Sequence, residues 1–140
     1  MNRLSASVHV ALIDDAEPTR IALARLLASA GFQPAAFASA EEFLTSANGL
    51  RFDCLLLDLH LPGLSGLDLF RILRRDGERT PVVFLTADRD VARCEDLRAA
   101  GVSCLVKPTD DVTLLRAIRN AVDSAVENRA GGAPDRYLHP

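Results

Sequence analysis

Five short apolar runs alternate along this chain with five stretches of helical periodicity, and four of the runs end at a polar residue. Val8–Ile13 runs into Asp14-Asp15, Cys54–Leu57 into Asp58, Pro81–Leu85 into Thr86, and Val102–Val106 into Lys107-Pro108. Gln33–Phe37 is a weaker run. Continuous rather than alternating apolar character suits strands buried on both faces. The first helix is expected over Pro18–Ala30, with proline at its start, Leu23, Leu26, Leu27 and Ala30 on one face, and Gly31 as its stop. Ser39 and Glu42 have capping-box spacing before a second helix that turns Ala40, Phe43, Leu44 and Ala47 inward and ends at Asn48-Gly49. Leu67, Phe70 and Leu73 mark a third helix, closed by Gly77. A fourth, Asp88–Ala100, carries only the thin stripe Val91, Cys94 and Leu97. Thr109 is expected to cap a fifth, with Val112, Leu115, Ile118, Val122 and Val126 inward.

Such alternation defines the α/β class: a doubly wound, five-stranded parallel sheet with helices on both faces. Residues 1–127 are expected to form one folded domain. Residues 128–140, with glycine and proline and no periodicity, read as a flexible tail or the start of a linker.

In an open parallel sheet, ligands bind beyond the carboxyl ends of the strands. Four strands here deliver Asp14, Asp15, Asp58, Thr86 and Lys107 to that rim. Three carboxylates brought together repel unless a cation or raised pKa values relieve them. Oxygen-only ligands suit a hard cation, and Mg2+ fits because it keeps waters and needs few carboxylates. The chemistry this points to is phosphoryl transfer, with Asp58 as nucleophile, Thr86 donating a hydrogen bond and Lys107 neutralising a phosphoryl oxygen. Lys107 is the single lysine beside 15 arginines, so a compact ammonium stands where a guanidinium fork is otherwise the rule. Each residue also has a plainer role. Asp14-Asp15 suits a turn before Pro18, Asp58 a loop acid, Thr86 a strand end, and Lys107 a solvated charge. Their joint placement on one rim is what favours the chemistry.

Net charge is -3 with no basic run, which argues against a nucleic-acid surface. No apolar stretch approaches the roughly 18 residues of a membrane span. Three cysteines, Cys54, Cys94 and Cys104, lack paired spacing, so reduced thiols and a cytoplasmic location are expected.

The set Asp14-Asp15, then DLHLPGLSG from Asp58 to Gly66, then Thr86-Ala87, then Lys107-Pro108, resembles the receiver domain of bacterial two-component response regulators. The resemblance covers about residues 8–126. It implies a flavodoxin-like sheet of strand order 2-1-3-4-5. It implies that Asp15, Asp58 and the backbone carbonyl of His60 bind Mg2+, with Asp14 helping through water. It also implies that the small Ala87 leaves its N–H open to the phosphoryl group, and that a cis bond precedes Pro108. A phosphorylation-activated switch follows, taking its phosphoryl group from a sensor histidine kinase or phosphotransfer protein and catalysing its own transfer and slow loss. Self-association through the fourth helix, fifth strand and fifth helix is compatible with this reading. The family's aromatic three residues before the lysine is replaced by Cys104, expected to be a small buried hydrophobe in a central strand. The phenylalanine after Lys-Pro is replaced by Thr109. His60 and Asp88 are expected to pair across the mouth of the site.

A metal phosphohydrolase is the competing enzyme. The haloacid-dehalogenase-like pattern needs an acid two residues after the nucleophile, and His60 stands there. A constitutive interaction module, lacking site acids or the lysine, is the other competitor, and none is lacking. Met1 favours a regulator over a kinase-attached receiver, and the text LPGLSGLDL is similar to regulators with helix-turn-helix outputs.

Overall fold

In the computed structural model the described residues are 7–47 and 50–131. They alternate as β1 (Val8–Ile13), α1 (Glu17–Ser29), β2 (Phe32–Phe37), α2 (Ala40–Ser46), β3 (Cys54–Asp58), α3 (Gly66–Arg75), β4 (Val82–Thr86), a 3-10 turn (Asp88–Asp90), α4 (Val91–Ala99), β5 (Ser103–Val106) and α5 (Asp111–Gly131). All strand pairings are parallel, and the order is β2-β1-β3-β4-β5, as expected. The side-chain period of two splits the core between the faces. Ala11, Ile13, Leu55, Leu57, Val82 and Phe84 pack under α2, α3 and α4. Val10, Leu12, Cys54, Leu56, Val83 and Leu85 pack under α1 and α5. Every strand residue named here is buried, which is why the runs show no polar alternation.

Local signals set the ends of several elements. Ser39 accepts the Glu42 N–H, while the Glu42 carboxylate takes the N–H of Ala38 rather than that of Ser39. Ser65 and Asp68 form a complete capping box at α3. Gly31 and Gly77 end their helices at positive φ, where a side chain would be strained. The expected stop at Asn48-Gly49 lies outside the described residues.

The structure corrects four details. First, α5 is capped by Asp110, whose carboxylate accepts the Thr113 N–H at 2.7 Å, and not by Thr109. Its inward face is Leu114, Leu115, Ala117, Ile118, Ala121 and Val122, so Leu115, Ile118 and Val122 lie inward as expected, whereas Val112 and Val126 are exposed. Second, α5 continues to Gly131, so residues 128–131, expected to open the tail, are helical. Arg129 and Ala130 are good helix formers, and the next proline is Pro134. Third, Val91 on α4 is exposed, leaving Cys94 and Leu97 as its buried residues.

Fourth, Cys94 and Cys104 are joined as a disulfide between α4 and β5, with Cα atoms 5.4 Å apart. Cys104 is buried, as expected, but the strand order puts β5 at the edge of the sheet rather than in its centre, and the pair with Cys94 replaces the expected reduced thiols. Sequence spacing conceals this pair because its members sit on different elements that the fold lays side by side. Cys54 remains a free buried cysteine, its thiol pushed up to about 12 by burial and then by the Asp53 charge.

Candidate functional site

The chain leaves β1 for β2 on one side of the sheet and later places β3 on the other side of β1. The helices that follow these strands lie on opposite faces, so a crevice opens where β1 and β3 end. Ile13 and Leu57 are register partners, which puts Asp14 and Asp58 level at the mouth. The Asp14 N–H is tied to the Phe37 carbonyl at 3.1 Å, and its Oδ1 accepts the Ala16 N–H at 2.9 Å. Arg20 donates to the Asp14 backbone carbonyl at 2.8 Å. These bonds hold Asp14 in place although its side chain is almost wholly buried.

Oxygen atoms of Asp14, Asp15 and Asp58 all lie within 4.8 Å of one another. Burial raises the Asp58 carboxyl above its ordinary range. Lys107 opposes this, and Asp14 adds to it. Lys107 crosses from the end of β5, its Nζ 3.2 Å from Asp14 Oδ2 and 3.5 Å from Asp58 Oδ2. One ammonium facing three acids leaves the cluster short of positive charge, and its donors are all hard oxygens. That donor set suits a divalent hard cation.

Lys107 is positioned by its own backbone. Its N–H donates to the Thr86 carbonyl at 2.7 Å, extending the β4–β5 ladder beyond Thr86 and Val106. The Lys107-Pro108 bond is cis, as the resemblance implied. Ala87 follows Thr86 and precedes the 3-10 turn. The loop after β3 is held by the His60 N–H on Asp58 Oδ1 at 3.2 Å and by the Leu64 N–H on Glu41 Oε2 at 2.8 Å. Removing that brace by Glu41→Ala is expected to destabilise the fold by about 1 kcal/mol, read as a shift in the urea midpoint.

The structure thus brings Asp14, Asp15, Asp58 and Lys107 together. It does not aim Thr86 at Asp58. Thr86 is fully buried, and its hydroxyl donates to Asp90 Oδ2 at 3.2 Å. The His60 ring pairs through Nε2 with the same Asp90 oxygen. The pair expected with Asp88 involves a side chain outside the described ones; among the described residues the partner of the His60 ring is Asp90. The sequence signal was the acid spacing Asp88-x-Asp90. A 3-10 turn there carries Asp90 back toward Thr86, one helical turn behind it.

Comparison with known proteins fits this geometry. Residues 10–119 match the family model for the response regulator receiver domain. The response regulator protein TodT of Pseudomonas putida is 34% identical over 120 residues, covering 85% of this chain and 53% of TodT. The structure of full-length FixJ from B. japonicum superposes with a TM-score of 0.78 at 31% identity, over 89% of this chain and 64% of FixJ. The Vibrio cholerae chemotaxis protein CheY4 superposes with a TM-score of 0.73 at 27% identity, over 83% of this chain and 99% of CheY4. The chain spans about half the length of curated relatives such as TodT. No helix among the described residues is long and apolar enough to cross a membrane. Parallel topology, an acid cluster at the β1–β3 crevice and a lysine spanning it accompany these matches, and the chain belongs to the response regulator receiver domain family.

Proposed function

We propose that Asp58 is the phosphoacceptor of a magnesium-dependent signalling switch. The single observation that carries this is Lys107, whose ammonium bridges Asp14 and Asp58 at the crevice. Asp58 Oδ attacks the phosphorus of a phosphohistidine on a histidine kinase or phosphotransfer protein. A P–O bond forms, the P–N bond breaks, and the imidazole leaves with a proton from solvent. Asp15, Asp58 and the His60 carbonyl would hold Mg2+, with Asp14 acting through water. When bound, the cation neutralises charge on the phosphoryl oxygens. Lys107 and the Thr86 hydroxyl take two of those oxygens, and Ala87 leaves room for its own N–H to meet the group. The chain's contribution is positioning and charge, so it catalyses its own transfer and its own slow hydrolysis.

The output surface on this reading is the face of α4, β5 and α5, through which a partner or a second copy would dock. We place the protein in the cytoplasm, where histidine kinases present their phosphohistidines.

The test is incubation with acetyl phosphate with and without Mg2+, followed by borohydride trapping and peptide mapping. Magnesium-dependent label on Asp58 is expected. Label on another residue, or none, overturns the assignment. Turnover of phosphate esters without a stable acyl phosphate would instead favour the hydrolase. Lys107→Arg keeps the charge but replaces an ammonium 3.2 Å from Asp14 with a planar fork. Labelling is expected to slow by about tenfold, roughly the loss of one charge-assisted hydrogen bond. Wild-type rates in that variant would mean that only the charge matters.

A further inference from the structure

We propose that Asp90 is a positioning residue that withholds the Thr86 hydroxyl from the phosphoryl site and so sets the threshold for activation. This rests on the phosphoacceptor reading given above. Thr86 has one hydroxyl proton and is wholly buried, so no water competes for it. That proton is given to Asp90 Oδ2 at 3.2 Å. A proton given to Asp90 is not available to a phosphoryl oxygen. The two acceptors exclude each other, and activation requires Thr86 to exchange one for the other.

Asp90 is held for this task. It is the N-cap residue of α4, yet its carboxylate makes no bond to the helix's N–H groups. Most aspartates at that position spend their side chain on the helix. Here the same Oδ2 takes the His60 ring from the loop after β3, and the Arg89 guanidinium lies 3.9 Å away. The carboxylate is about four-fifths buried while His60 is half exposed. One oxygen of this mostly buried carboxylate therefore ties the loop after β3 to the loop after β4. Giving up Thr86 removes one of the bonds that hold the N-cap residue of α4 in place. The chemistry of the site thereby reaches α4 without the family's aromatic, whose place Cys104 holds.

The experiment measures Mg2+-dependent affinity for beryllofluoride, a phosphoryl mimic. It compares wild type, Asp90→Ala, Asp90→Ser, Thr86→Ala and the double variant Asp90→Ala/Thr86→Ala. Serine can still cap α4 but is too short to reach both Thr86 and His60, which guards against simple unravelling of the helix. Both Asp90 variants are expected to bind about fivefold more tightly than wild type, the worth of one released hydrogen bond. In the Thr86→Ala background only the effect of removing a nearby negative charge remains, so Asp90→Ala tightens binding less there. An equal factor in both backgrounds reduces Asp90 to a remote charge and overturns the proposal. Unchanged or weaker binding by both Asp90 variants makes it a helix cap and overturns it too. Failure of wild type to bind beryllofluoride overturns the phosphoacceptor reading itself, and this proposal with it.

Discussion

Asp58→Asn is expected to do two opposite things: abolish labelling by acetyl phosphate, and raise the melting temperature in magnesium-free buffer. The first follows from chemistry, since a carboxamide is no nucleophile toward phosphorus. The second follows from the crowding of acids. Burial raises the folded Asp58 carboxyl above its ordinary value, and Asp14 adds to the rise despite Lys107. The unfolded group ionises near pH 3.9. Above that pH the unfolded chain has released a proton the folded chain still holds. Stability therefore falls as pH rises from about 4 through the raised folded value, and the full penalty applies at neutrality. Asparagine removes it. The gain in melting temperature should be present at pH 7 and disappear as pH falls below about 4. Added Mg2+ should stabilise wild type and narrow the difference. Thermal scans in chelator, at both pH values, measure it. A variant that melts below wild type at pH 7 would mean that Lys107 already satisfies the cluster.

Gly66→Ala is expected to destabilise the fold by about 3 kcal/mol, at the upper end for overpacking, and to lower the melting temperature by about 10 °C. A Cβ on Gly66 would lie well inside van der Waals contact of the Asp58 carbonyl oxygen, and 3.1 Å from both its carbonyl carbon and Leu59 Cα. Neither side yields easily. Leu59 donates its N–H to the Leu85 carbonyl at 2.9 Å and accepts the Gly66 N–H at 3.0 Å. On the other side, α3 is anchored by buried Leu67, Leu69, Phe70 and Leu73. The better helix propensity of alanine returns at most about 1 kcal/mol, so the clash dominates. Displacing the backbone at residues 58–59 also moves the Asp58 carboxylate, and labelling should fall in the fraction that remains folded. An unchanged denaturation midpoint would show that the segment after β3 gives way freely.

β3 and β4 were legible because both faces of the sheet are covered there, which makes each an uninterrupted apolar run, while the edge strand β2, with Gln33 and half-exposed neighbours, gave the weaker signal. The rim acids and Lys107 were legible for a related reason: a polar residue at the end of such a run has nowhere to go but the edge of the sheet. Helix faces were less so. In α5 the stripe started from Val112 places Leu115, Ile118 and Val122 correctly but misses Leu114, and its two ends, Val112 and Val126, are exposed. Leu114 joins the inward face in a helix that Asp110, not Thr109, caps. Asp90 was hidden by the same kind of ambiguity. Asp88 and Asp90 are interchangeable acids on paper, and only the local winding decides which one meets Thr86. The Cys94–Cys104 pair needed the adjacency of α4 and β5, a tertiary fact.

Lys107 and Asp14 meet across 93 residues of sequence. Each parallel pairing between them must first close a loop through a helix, so nearly all the entropy of chain closure is spent before this contact exists. The crevice is accordingly a late product of folding, absent from any fragment that lacks either β1 or β5. A cation that binds there recognises only the finished chain. Its effect should appear mainly as slower unfolding, with the rate of folding little changed.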